Sequence, residues 1–301
     1  MTVGPARVAA EAKLNLHLRV LARDASGYHS IETLFTRIAL ADRVKVQPRR
    51  SARTLDCRGA ELGPIEQNLA YRAAAAFSDA VGWPHGFHID LEKHIPAGSG
   101  LGGGSADAGA VLRALNALSP RPMREEELLT LARTLGADVP FLTSTIPFAF
   151  AQGRGEEMRA LPPLPARDVA LIHPGFSVST RDAYAWLDRR RERTGRGGVP
   201  PLPPDSLVSW EALAPHIAND FEAVVAARHP RLTELLATLR ESGASIAGLT
   251  GSGSVVFAIF PGAAPTDALE RAIHHGLILT RTVTRVAAVD LGAESLFRAR
   301  N

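Results

Sequence analysis

The chain has 301 residues, 46% of them hydrophobic and 22% charged, with 34 basic against 31 acidic side chains for a net charge of +3. That length buries a large core in one large or two modest domains, and the near-balance of charge argues against a dedicated nucleic-acid binder, which concentrates its basic residues on one face. A single cysteine, Cys57, rules out an intramolecular disulfide framework, no apolar run approaches the roughly 20 residues of a membrane span, and residues 1–7 show no charged-then-apolar leader, so a cytoplasmic protein is expected.

Residues 7–21 alternate strictly, with Val8, Ala10, Ala12, Leu14, Leu16, Leu18 and Val20 on one face and Arg7, Ala9, Glu11, Lys13, Asn15, His17 and Arg19 on the other. Period two predicts a strand that sets Lys13, Asn15 and His17 side by side. Such a polar face ordinarily meets solvent, where an ion pair is worth under ~1 kcal/mol. Only three of the basic residues are lysines, Lys13, Lys45 and Lys93. In a chain whose default cation is arginine, a lysine suits a position that needs a compact charge with movable donors. Arg23-Asp24-Ala25-Ser26 leads into Gly27-Tyr28-His29 as a loop, and 31–40 and 43–47 read as further strand. An alanine-rich helix is predicted over 68–80, for which Asn68 suits the cap. Phe87, Ile89 and Leu91 alternate with His88, Asp90 and Glu92 as a half-buried strand; His85 and His88 have H-x-x-H spacing but no third ligand nearby, so no metal is expected there.

The run from Ile95 to Asp107 carries the most information. Gly98, Gly100, Gly102, Gly103 and Gly104 fall within seven positions, directly ahead of Ala108, Val111, Leu112, Leu115 and Leu118 at helical spacing. Glycine admits positive φ and close ligand approach, and successive amides running into a helix N-terminus form a concavity for a polyphosphate. Ser105 and Asp107 suit the helix start, Ser105 either as its cap or as a contact for phosphate or metal. Gly98, Gly100 and Gly103 satisfy G-x-G-x-x-G, but the loop lies a third of the way along the chain with no acidic strand end roughly 20 residues on, which a dinucleotide site requires. No Gly-Lys-Ser/Thr follows, which excludes a P-loop, and no His-Arg-Asp segment follows, which excludes a protein kinase.

Beyond the loop, 125–135 is a predicted helix ended by Gly136. Asp138 precedes Val139-Pro140 in a rigid turn, as a general base or as a turn aspartate bonding its own backbone. The proline-rich stretch 161–165 reads as a boundary. After it come a buried strand at 169–172, a helix opening at 180–188 and an exposed loop rich in Arg, Gly and Pro over 189–204, whose arginines at 189–196 read as solvated. A helix over 232–239, a hairpin around Gly251-Ser252-Gly253, a helix over 267–274 ending at His274-His275 and a strand over 277–283 complete the chain, with no internal repeat. Two α+β lobes with a cleft between them is the simplest assembly.

The signature P-x-G-x-G-L-G-G-G-S, Pro96 to Ser105, resembles the GHMP kinase superfamily. Ala12-Lys13-Leu14-Asn15-Leu16, Gly27-Tyr28-His29, Gly136-Ala137-Asp138-Val139-Pro140-Phe141 and Leu249 to Phe257 make the chain similar to the branch that phosphorylates the C2 hydroxyl of 4-diphosphocytidyl-2-C-methyl-D-erythritol in the non-mevalonate isoprenoid route. The resemblance implies a two-lobed α+β fold. Its ATP-binding, ribosomal-S5-domain-2-like βαβ lobe would span 1–160 and its ferredoxin-like substrate lobe 161–301. It implies Asp138 as catalytic base and Lys13 as its partner. ATP would be held by Asn68 and by Pro96, Ala97, Gly98, Ser99, Gly100, Leu101, Gly102, Gly103, Gly104, Ser105 and Ala106, with Mg²⁺ at Ser105. Asn15, Tyr28, His29, Thr180 and Tyr184 would contact a cytidine diphosphate alcohol, with no nucleic-acid or membrane partner. Ala106 stands where the family often has a second serine. Two other readings fit the same scaffold: a sibling kinase for homoserine, mevalonate or a sugar, and a non-catalytic nucleotide sensor or RNA-binding module, which leaves Lys13 and Asp138 unexplained.

Overall fold

The computed structural model describes residues 4–23, 28–61, 63–195, 198–273 and 276–292. Two long strands, β1 (Ala6–Arg23) and β2 (His29–Arg49), pair antiparallel along their length. The two strand segments expected at 31–40 and 43–47 are one continuous strand, because the ladder to β1 spans both. A parallel pair, β3 (Arg53–Arg58) and β4 (Gly86–Glu92), is joined by α1 (Leu69–Val81), and β4 lies against the second half of β2. After α2 (Gly103–Leu118), α3 (Glu125–Arg133) and α4 (Val139–Thr143), strands β5 (Phe148–Gln152) and β6 (Glu157–Ala160) extend the sheet from the first half of β2.

The second lobe begins with β7 (Asp168–Ile172) and α5 (Thr180–Thr194). It continues through α6 (Trp210–Leu213), α7 (Glu222–Ala226) and α8 (Arg231–Glu241) to the hairpin β8 (Ile246–Leu249) and β9 (Val256–Ile259), then α9 (Thr266–Ala272) and β10 (Leu277–Arg281). Its antiparallel order β10-β7-β9-β8 is the ferredoxin-like arrangement. The sheet is buried on both faces. Val169, Leu171, Phe257 and Ile259 join the core of the first lobe, whereas Ala170, Ile172, Val256 and Ala258 pack with α5, α7 and α8. That is why 169–172 is an unbroken apolar run rather than an alternating one.

Local chemistry explains most element ends. Asn68 caps α1, its Oδ1 accepting from Ala70 N at 2.8 Å and Tyr71 N at 3.4 Å, and Gly82 closes the helix at φ +70°. Helix α2 is buried nearly all round between the sheet, α1 and α4, so apolar residues fall on every side of it and the charged Asp107 and Arg113 are buried among them. Three expectations fail. Helix α3 ends at Arg133 with Thr134 as its cap, and Gly136 lies in the following turn. Residues 189–194, expected as loop, continue α5, since Arg and Glu are good helix formers and no breaker intervenes before Gly195 at φ +60°. Finally, the polar face of β1 is not solvent-exposed: Glu11, Lys13, Asn15 and His17 are all buried. The glycine loop and the second lobe close over it, with Lys13 N donating to Leu101 O at 3.0 Å and Leu18 N to Ala218 O at 3.0 Å.

Two stability predictions follow from this packing. A Cβ at Gly109 would stand 2.5 Å from Leu142 O, a backbone atom of α4, whereas one at Gly104 would meet only Leu69 Cδ1 at 3.6 Å. Gly109→Ala should therefore cost about 1–3 kcal/mol and lower Tm, while Gly104→Ala leaves it unchanged or higher. His17 is 1% exposed; its Nδ1–H donates to His216 O at 3.1 Å and its Nε2 has no partner. Burial lowers its pKa from 6.5, so stability tied to the neutral ring is present above about pH 6.5 and lost as pH falls towards the folded value. Thermal melts from pH 7.5 to 5 should show a fall in stability that His17→Gln reduces; equal slopes for both proteins would refute it.

Candidate active site

The glycine loop lies where the two lobes meet. Gly98, Gly100 and Gly102 take φ of +65°, +78° and +75°, so every second residue is left-handed and the chain curls into a shallow cup. At Gly100 a side chain would also strike the second lobe, 2.8 Å from Thr250 O. At Gly102 it would press on Lys13 Cε at 3.2 Å. Gly102 is itself the cap of α2, with no side-chain bond, so Ser105 sits inside the first turn rather than at the cap. Its hydroxyl is not used to start the helix. Pro96, Ala97, Gly98, Ser99, Gly100, Gly102, Gly103, Gly104 and Ser105 all line one cleft of about 650 Å³ together with Asn68. Leu101 and Ala106 are buried in the core instead and do not line the cleft. The cradle fits a triphosphate: bare amides, a following helix N-terminus and no side chain to fill the space.

The deep wall of the cleft is the polar face of β1. Lys13 Nζ lies 3.3 Å from Asp138 Oδ2 and donates to Asn15 Oδ1. Asn15 is held in turn, its Nδ2 donating to Thr33 Oγ1 at 2.8 Å and its backbone N donating to Thr250 Oγ1 at 3.0 Å. Thr33 Oγ1 donates in turn to His17 O at 2.8 Å. Asp138 is the N-cap residue of α4, yet its carboxylate makes no cap bond, so the self-bonded turn aspartate is not what forms. The lysine side chain is 4% exposed and the aspartate 32%, so the ion pair has one protected member and one that faces the cleft.

A second lysine was missed as a site residue. Lys93 also lines the cleft, bonded to Asp42 and, at 2.6 Å, to Asp107 Oδ2, while Asp42 Oδ1 accepts from Ile95 N at 2.8 Å at the entrance to the loop. Burial pushes Asp107 up, with Asp42 adding to it; for Lys93 burial acts downward, but the two carboxylates outweigh it and hold it above its usual value. The scarcity of lysine was the available signal: two of the three lysines line this cleft, and Lys45 pairs with Asp90 on the outside of the sheet at 2.8 Å. There His88 Nε2 also faces Asp90 at 3.2 Å and Asp56 at 3.9 Å, carboxylate neighbours that sequence spacing alone did not supply.

The other end of the cleft is built by the second lobe. Thr180 opens α5 and its Oγ1 bonds Ser252 Oγ at 3.0 Å; Tyr184 is one turn further along. The Tyr184 ring stacks on His29 at 5.2 Å and meets Phe221 edge-on at 4.9 Å, and burial raises its phenol pKa. The His29 imidazole is committed to the protein, with Nδ1 2.9 Å from Leu21 O and Nε2 3.0 Å from Asp188 Oδ1. Tyr28 is 59% exposed beneath the Arg154 guanidinium at 4.0 Å. Gly27, Arg196 and His274-His275 lie outside the described residues. The structure thus gathers Lys13, Asn15, Asn68, the loop, Asp138, Thr180 and Tyr184 around one cleft, and sets His29 and Tyr28 behind and beside it.

Comparisons with known proteins agree with this geometry. The family description "GHMP kinases N terminal domain" matches residues 68–145, and "GHMP kinases C terminal" matches 207–276. A 4-diphosphocytidyl-2-C-methyl-D-erythritol kinase of Thermus thermophilus is 42% identical over 267 residues, 84% of this chain and 87% of that protein. One of Desulfotalea psychrophila is 39% identical over 259 residues, 83% of this chain and 84% of that one. A crystal structure of 4-(cytidine 5'-diphospho)-2C-methyl-D-erythritol kinase superposes with a TM-score of 0.77 at 38% identity, covering 92% of this chain and 98% of that one. Homoserine kinase from Cytophaga hutchinsonii, at 18% identity and a TM-score of 0.67, shares the fold. Sequence, lobes and cleft converge: the chain belongs to the 4-diphosphocytidyl-2-C-methyl-D-erythritol kinase family of the GHMP kinases.

Proposed function

We infer that this protein transfers the γ-phosphoryl group of ATP to the C2 hydroxyl of 4-diphosphocytidyl-2-C-methyl-D-erythritol, giving the 2-phosphate and ADP in the non-mevalonate route to isoprenoid precursors. One observation carries the mechanistic reading: a cleft-facing carboxylate, Asp138, sits 3.3 Å from a buried ammonium, Lys13, beside the glycine cup. Phosphoryl transfer asks the protein for positioning and charge compensation more than for covalent chemistry. The loop amides from Gly98 to Ser105 and the start of α2 bind the triphosphate. Asp138 accepts the proton of the acceptor hydroxyl as its oxygen attacks. Lys13, steered by Asn15, holds that carboxylate and offsets charge that builds on the transferring group. Thr180, Ser252 and Tyr184 line the acceptor end, where an aromatic face against a base contributes roughly 1–3 kcal/mol. His29 stacks on Tyr184 from behind that wall and Tyr28 stands beside it.

The half-buried Ser105 hydroxyl, free of capping duty, is the donor that suits a magnesium ion travelling with the nucleotide. Such an ion, when bound, neutralises phosphate charge.

Coupled ADP-release assays with a panel of acceptor alcohols test the substrate. Turnover is expected with the cytidine diphosphate alcohol; turnover with homoserine, mevalonate or galactose and none with that alcohol would overturn the reading. Asp138→Asn should lower kcat by about 10²–10⁴-fold while the Kd for ATP stays within about threefold, measured by calorimetry. Near-normal turnover would remove Asp138 from the role of base.

A further inference from the structure

Arg37 is 1% exposed, deep in β2, and no step of the phosphoryl transfer uses it. Its guanidinium nonetheless makes three hydrogen bonds, all to backbone carbonyls. Nη2 donates to Phe141 O at 2.6 Å and to Ser144 O at 2.8 Å, and Nε donates to Ile146 O at 3.2 Å. Those three carbonyls belong to the C-terminal end of α4 and the chain just beyond it. The planar group also lies over the Phe141 ring at 5.0 Å, and Phe141 stacks on Phe35 at 4.9 Å, the ring over which Lys13 Nζ sits at 5.5 Å. In the β1–β2 ladder, Arg37 is the residue directly opposite Lys13.

One side chain therefore ties together the two elements that carry the ion pair: its own backbone is registered to Lys13, and its fork grips the helix whose first turn bears Asp138. Helix α4 has five residues, about 7 Å at 1.5 Å per residue, and Pro140 stiffens it, so no soft segment separates the clamp from the carboxylate. The helix is also too short to position itself, since isolated helices of this length do not persist in water. Glu11, whose Oε2 lies 3.8 Å from Arg37 Nη1, supplies the counter-charge that lets a cation stay buried there.

We propose that Arg37 is a positioning residue for phosphoryl transfer, setting the Lys13–Asp138 separation from behind the site by clamping the end of α4 to the strand pair. This rests on the assignment of Asp138 as base. Lysine at 37 would keep the charge opposite Glu11 but lacks the planar fork that reaches three carbonyls.

The test is a double-mutant cycle read in kcat, alongside Tm and the KM for ATP. Arg37→Lys should lower kcat at least tenfold with the KM for ATP changed less than twofold. In an Asp138→Asn background the same substitution should change kcat less than twofold, because the group it positions is gone, while its effect on Tm persists. An equal factor in both backgrounds would mean a merely structural role and would overturn the proposal, as would undiminished kcat in Arg37→Lys. Unimpaired turnover by Asp138→Asn alone would instead overturn the base assignment, so the two failures are distinct. Leu236→Ala, in α8 of the other lobe, is the stability control: its lower Tm should leave kcat intact at a temperature where the protein stays folded, and a tenfold loss there would overturn the proposal. Should Arg37→Lys not fold, Phe141→Leu keeps the donors but removes their aromatic platform. It should lower kcat at least threefold in the native background and not in Asp138→Asn, and equal effects in both would overturn the clamp.

Discussion

A buried ammonium sets the terms for the rest of this structure. Lys13 is almost wholly withdrawn from water, and effective penalties for burying such an ion run to several kcal/mol unless partners replace the lost hydration. Asn15 and Asp138 are those partners, one from the same strand and one from the start of a helix 125 positions along the chain. Because Asp138 remains partly open to the cleft, the pair is stable enough to form and still accessible to a substrate. The same arrangement explains why β1 carries a polar stripe through the centre of the molecule: Asn15 supports Lys13 and is held in turn by Thr33 of β2, whose hydroxyl donates to the His17 backbone where water has been excluded.

The two lobes act on this stripe from opposite sides. The first brings the glycine cup to it through the bond from Lys13 N to Leu101 O. The second brings the 250–253 turn, whose Thr250 hydroxyl accepts from Asn15 N and whose carbonyls crowd Gly100. The loop end and the Tyr184 end of the cleft therefore share a wall, the polar stripe of β1. Direct transfer between two bound substrates demands such an arrangement, since proximity and orientation supply much of the rate. The shared core reinforces it: one face of the second sheet packs into the first lobe, which restrains how the halves move relative to each other.

Buried charge recurs at each level of support. Lys93 between Asp42 and Asp107 fastens the entrance of the loop to the start of α2, and Arg37 beside Glu11 fastens α4 to β2. In both clusters, charge-assisted bonds to fixed carbonyls and carboxylates resist displacement better than apolar packing, which is non-directional.

Short-range physics made much of this legible in the sequence. The glycine spacing, the cap at Asn68, the alternation in β1 and β4 and the apolar run of β7 each depend on backbone sterics or on one element's periodicity, and they appear where expected. The family motifs pointed to Lys13, Asp138 and the loop because those residues stand in contiguous segments. What the chain order could not express was coverage: the polar face of β1 looks like a solvent face until a loop some 85 residues on and a turn more than 230 residues on are folded over it. The same holds for Ser105, displaced from the helix cap by the left-handed Gly102, and for Arg189 to Thr194, which continue a helix rather than open a loop. Arg37 left no signal in the sequence, and Lys93 only the scarcity of lysine, for one reason: the value of a buried charge lies in the carbonyls and carboxylates that surround it, and only the tertiary structure brings those together.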